Sequence, residues 1–157
     1  MKIFRIFIKF ILLTIFIFGG IVLIFSKFEQ KTYLYEHNFE NAEWGNNIEF
    51  EFDIVAFAKY EAFLLLRHNS SLKTKDILYK FSIQDSIGIT KIDTLELNTI
   101  DTNGMWIGRG LSLKTLRHSI YKDSLSFKKG HYKINIEPLP SEQKIKGIES
   151  VAIVLNK

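Results

Sequence analysis

The chain has 157 residues, room for one domain and an appendage, and 46% of them are apolar. Its net charge of +4 sits in the first 31 residues, where Lys2, Arg5, Lys9, Lys27 and Lys31 face Glu29 alone; the other 16 cations are matched by 16 acids. The basic balance therefore gives the body of the chain no footprint for nucleic acid, and the absence of cysteine excludes disulfides.

Residues 10–25, FILLTIFIFGGIVLIF, contain no charge. Counted from Ile3 to Phe25, with Arg5 and Lys9 reaching back to the interface, the segment is 23 residues long. At 1.5 Å per residue that is about 34 Å, enough to cross roughly 30 Å of hydrocarbon. The following stretch, SKFEQKTYLYE, has no small-x-small cleavage pattern. The expectation is one N-terminal transmembrane helix within 1–30, contacting the membrane through residues 3–25, with a cleaved secretory signal as the alternative. The short basic N-terminus then stays in the cytoplasm, and 31–157 form an exported domain. Without disulfides that domain must hold together by core burial.

Period-two alternation dominates the rest. In IEFEFDI (48–54), Ile48, Phe50, Phe52 and Ile54 share one face and Glu49, Glu51 and Asp53 the other. YEAFLLLRH (60–68) is apolar on both faces as far as Arg67, as a central strand would be. ILYKFSI (77–83) and the less regular KIDTLEL (91–97) follow. SLKTLRHS (112–119) reads as a helical turn or a loop. SLSF (124–127) and YKINI (132–136) look like a hairpin joined through KKGH, with Pro138 and Pro140 marking an edge or loop beyond. IESVAIVL (148–155) is the last strand. The expected fold is all-β: an antiparallel β-sandwich of jelly-roll type with about eight strands.

The stretch DTNGMWIGRG (101–110) concentrates three glycines around Trp106. After Gly108 and Gly110 come Leu111, Ser112 and Leu113, so neither a Walker lysine nor the third glycine of a dinucleotide loop is present. DTNG reads as a turn, with Asp101 capping it and Asn103 and Gly104 tolerating positive φ. A calcium site there would need further carboxylates. Around this turn the chain resembles the gliding-motility lipoprotein family GldH of Bacteroidetes. The matching positions are Leu66-Arg67-His68, Asp93-Thr94 and Gly104-Met105-Trp106-Ile107-Gly108-Arg109-Gly110. They continue with Phe127-Lys128-Lys129-Gly130-His131-Tyr132 and Ile145-Lys146-Gly147-Ile148-Glu149-Ser150-Val151.

The resemblance runs from about residue 33 to 157. It departs at the lipobox cysteine, which this sequence lacks, and at NSSLKTKDIL, which lacks the family's Tyr-Pro segment. It implies a non-enzymatic cell-envelope accessory of the gliding and type IX secretion machinery, partnered by other envelope proteins. The family's usual address is an outer-membrane lipoprotein; the hydrophobic leader suggests an inner-membrane, single-pass tether with the domain in the periplasm.

Candidate contact residues are Arg67, His68, Trp106 and Arg109. Trp106 has two readings: it packs beneath the adjacent hairpin with the glycines admitting its bulk, or it forms a stacking platform for a glycan. Arg67 and His68 end a strongly apolar strand: the expectation is that Arg67 pairs with a carboxylate at the sheet edge, the alternative being that Arg67 and His68 together bind an anionic ligand. No nucleophile elbow or paired-acid motif appears, so no catalytic residue is assigned. His37, His118 and His131 have no partners at metal-ligand spacing, so no metal or cofactor is assigned.

Overall fold

The structure is a computed structural model and describes residues 32–141 and 144–157. The apolar segment expected to cross a membrane lies outside these residues. Among the described residues 64% are in strands and none in a helix, and every ladder is antiparallel. In chain order the strands are β1 (Thr32–Asn38), β2 (Glu43–Trp44), β3 (Ile48–Ile54), β4 (Ala58–His68), β5 (Asp76–Gln84) and β6 (Ile89–Asn98). They continue with β7 (Lys114–Ser119), β8 (Leu125–Phe127), β9 (Gly130–Leu139), β10 (Ile145–Lys146) and β11 (Ile148–Asn156).

Two larger sheets carry the fold. One runs β1-β11-β4-β7, with β8 also paired to β4; the other runs β3-β9-β5-β6. A third, two-stranded sheet joins β10 to β2. The alternation in β3 is complete: its four apolar side chains are buried and its three acids are exposed. Those acids meet their cross-strand partners on β9, where Lys133 Nζ lies 2.9 Å from Glu49 and also pairs with Glu51, and His131 Nδ1 lies 3.0 Å from Asp53. The inner faces of both sheets feed one hydrophobic cluster. Phe52 of β3 contacts Tyr35 of β1 (centroids 5.9 Å apart) and Phe127 of β8 (5.7 Å). Tyr79 of β5 meets the His118 ring of β7 at 6.3 Å.

The strands expected at 48–54, 60–68, 77–83, 91–97 and 148–155 are all present, and β4 is central, between β11 and β7. Two readings need correction. Residues 114–119 are neither helical turn nor loop but strand β7, because Leu116 and His118 point inward while Thr115 and Arg117 line the outer face beside Arg67 and Leu65. The hairpin across KKGH does not form: β8 pairs with β4, whereas β9 lies between β3 and β5 in the other sheet. Lys128 and Lys129 therefore cross from one sheet to the other. Pro138 remains within β9 opposite Tyr79, beyond Ile48, where β3 has already ended. A strand flanked on one side only can accommodate the missing N–H.

Candidate functional site

The loop from Thr99 to Leu113 is built by its own backbone. Thr99 is fully buried, and its hydroxyl lies 2.8 Å from the Thr74 carbonyl and 2.7 Å from that of Lys75, fixing the loop to the end of β5. Ile107 N–H donates to Thr99 O at 2.8 Å, and Ile100 bridges Trp106. Asp101 caps the turn as its sequence suggests: its carboxylate accepts from Asn103 N at 2.8 Å and Met105 N at 2.9 Å, and its carbonyl accepts from Gly104 N at 3.0 Å. Of Asn103 and Gly104, only the glycine takes a positive φ, 78°.

The chain then turns back onto β7. Arg109 and Thr115 exchange both backbone hydrogen bonds, at 3.0 and 2.9 Å, which covers the outer edge of β7 at that point. This contact, rather than the bulk of Trp106, accounts for the later glycines. A Cβ on Gly110 would lie 1.9 Å from Leu113 O, and one on Gly108 would lie 2.9 Å from Thr115 O.

Trp106 is half-buried, its ring 5.6 Å from that of His68 and packed against the core. His68 is only 2% exposed; its Nδ1–H points at Asn69 O, 3.2 Å away, and its Nε2 has no hydrogen-bond partner among the described residues. Strand alternation puts Arg67 on the opposite, outer face, so Arg67 and His68 do not share a site. Arg67 is also not at a sheet edge. It sits between Ser150 of β11 and Thr115 of β7, and among the described residues no carboxylate comes within 4 Å of it. Glu36, across the same shallow groove, accepts instead from Ser150 Oγ at 2.6 Å.

The backbone pairs place Arg67, Thr115 and Arg109 in one row on the outer face. The four candidates therefore divide into an inner pair, buried His68 with half-buried Trp106, and an exposed pair, Arg67 and Arg109. Arg117, one row further along β7, lies over the Phe63 ring at 3.7 Å and extends the basic row; sequence reading missed it because β7 was not seen as a strand.

The loop's most conspicuous property is what it leaves in water. Leu111 is 100% exposed, Met105 65%, Leu113 41% and Ile107 38%. Met105 and Ile107 stand on the hydrogen-bonded turn, and Leu111 and Leu113 in the return between Arg109 and Thr115. Such a surface can dock a partner whose complementary patch is apolar and acidic. Among the described residues there is no cluster of three or more potential metal ligands.

Comparison with known proteins adds a lineage. The family model described as GldH lipoprotein matches residues 31–155. "Gliding motility lipoprotein GldH" of Flavobacterium johnsoniae is 28% identical over 134 residues, covering 83% of each chain. "Gliding motility lipoprotein GldH homolog" of Christiangramia forsetii is 26% identical over 155 residues, covering 92% of this chain and 95% of its own. A solved ruminal GH26 endo-β-1,4-mannanase overlays 71% of this chain with 18% of its own, at 11% identity and a TM-score of 0.43, too low to carry an argument.

Proposed function

We propose, from the premise that this chain belongs to the GldH lipoprotein family, that it is a non-enzymatic accessory of a cell-envelope machine for gliding motility and type IX secretion. It acts by binding other envelope proteins. The observation that carries this reading is the loop Thr99–Leu113, which exposes Met105 and Leu111 and pairs Arg109 with β7 in the row of Arg67. An apolar patch beside arginines that have no carboxylate within 4 Å among the described residues offers both burial and charge to a partner.

In the same reading, residues 3–25 cross the inner membrane once in place of the acyl chain that names the family, and the strands form a sandwich of jelly-roll type. The ladder supports that topology. β1 pairs with β11, β3 with β9, β4 with β7 and β5 with β6, the four nested pairs of one long hairpin folded over itself.

The decisive experiment exchanges the chromosomal copy for Met105→Ser/Leu111→Ser, with chain level checked by immunoblot. The variant is expected to accumulate normally, to lose the envelope proteins that co-purify with the wild type, and to impair secretion or surface movement. A clean deletion with normal secretion and movement would refute the proposal.

A further inference from the structure

The exposed large apolar residues gather mainly at the two ends of the strands. The contact loop occupies one end, beside the pair His68–Lys114. The other end is fixed by the row Thr32–Asn156–Glu61 and by the pair Ile54–Gly130. There, Val55 and Phe57 in the β3–β4 connection are 63% and 64% exposed. Ile87 and Ile89, in and after the β5–β6 turn, are 94% and 58% exposed. The turn is ordered: Asp85 Oδ1 accepts from Ile87 N at 2.8 Å and Gly88 N at 3.1 Å, so its carboxylate is occupied while Ile87 projects. Lys128 and Lys129 form the adjacent crossing, exposed, with no carboxylate within 4 Å among the described residues. Asp123 and Glu61 are the other acids near this end, and Asp53 is held by His131.

This is also the end at which the chain enters the domain. Only residues 26–31, SKFEQK, separate Phe25 from Thr32. Fully extended, six residues reach about 20 Å. The 11 residues of β4 span about 35 Å, so the contact loop is too far along the strands to share a flat surface with Phe57 and Ile87. We propose that the β3–β4 and β5–β6 loop tips rest in the interface of the bilayer that residues 3–25 enter, with Lys128 and Lys129 at lipid phosphates. This rests on the anchor reading above. Apolar tips with neighbouring lysines suit that boundary, where apolar groups leave water and ammonium groups meet anionic headgroups. The consequence is orientation: the contact loop is held outward, away from the bilayer.

The native chain has no cysteine, so one introduced thiol gives one label. Full-length protein carrying Phe57→Cys, Ile87→Cys or Asn103→Cys is labelled with a polarity-sensitive fluorophore and placed in nanodiscs containing phosphatidylglycerol. Labels at 57 and 87 are expected to shift to the blue and to be quenched by lipids spin-labelled near the headgroup, and the label at 103 to do neither. Unquenched labels on a chain retained in the discs would overturn the docking and leave the anchor intact. A blue shift without lipid quenching would mean that protein, such as a second copy, covers the tips, and would also overturn it. A chain that does not enter discs at all would remove both the docking and the anchor.

Discussion

Gly110→Ala tests whether the contact loop is held as described. The new Cβ would lie 1.9 Å from Leu113 O, at a φ of 128° that side chains rarely adopt. Such backbone strain alone costs about 1–3 kcal/mol, and the overlap must be relieved as well. The loop can escape by releasing the two Arg109–Thr115 hydrogen bonds, each contributing about 0.5–1.5 kcal/mol. The loss is therefore capped at about 1–3 kcal/mol, because peeling away costs less than bearing the clash. Upstream, the Asp101 turn and the Trp106–His68 contact persist. Gly104→Ala is the control: nothing lies within 4 Å of its Cβ, so only φ strain of about 1–2 kcal/mol applies and the pairing to β7 survives. Guanidinium unfolding in detergent gives the stability change, and amide exchange at Arg109 and Thr115 reports the pairing. Stability within about 0.5 kcal/mol of wild type together with undiminished protection at both amides would refute the reasoning.

Phe52→Ala removes a ring that is 3% exposed and touches rings on β1, β8 and β9; it is expected to cost about 3–5 kcal/mol, whereas Phe57→Ser stays within about 0.5 kcal/mol by the same unfolding assay. Burial holds the His118 imidazole below its ordinary pKa. The unfolded chain binds that proton first as pH falls below about 6.5, so native stability drops across the interval down to the lower folded value. His118→Phe, which keeps a ring against Tyr79, should flatten the stability difference measured between pH 7 and pH 5; an unchanged pH slope would contradict this. Tyr121→Phe removes a hydroxyl donated to Asp93 and is expected to cost about 0.5–1.5 kcal/mol in the same unfolding assay.

Where one face of a strand is wholly apolar, the sequence is a sufficient guide. Ile48 to Ile54 and Ile77 to Ile83 show this: the buried positions are those expected from a period of two, except for Ser82, which is buried on the other face of β5. β1 escaped notice because its inner face is Tyr33, Tyr35 and His37, half-buried or exposed rings that do not read as core. β7 escaped because it is an edge strand with a single fully buried side chain, Leu116. The supposed KKGH hairpin shows how proximity in sequence misleads: two strands with a short connection were assigned to one sheet, when the connection crosses between sheets. In the loop, the Asp101 cap was readable because it is local. The role of Gly110 was not, since the atom it must avoid belongs to the returning strand. Arg67 and His68 are neighbours in sequence and so suggest a shared site, but the pleat of β4 turns them to opposite faces.

Among the described residues the first strand of the domain has a single ladder partner, and that partner is the last strand, itself inserted between β1 and β4. A ribosome or translocon delivers residues 32–38 first, yet they have nothing to pair with until residues 148–156 arrive. The middle of that sheet is thus completed only once the last strand of the domain has emerged. Contacts of such high sequence separation make for slow closure, on the order of milliseconds to seconds. A chain lacking residues 148–156 would lose the seam between the first and last strands of the domain, and would expose Leu64 and Leu66 along a bare edge of β4.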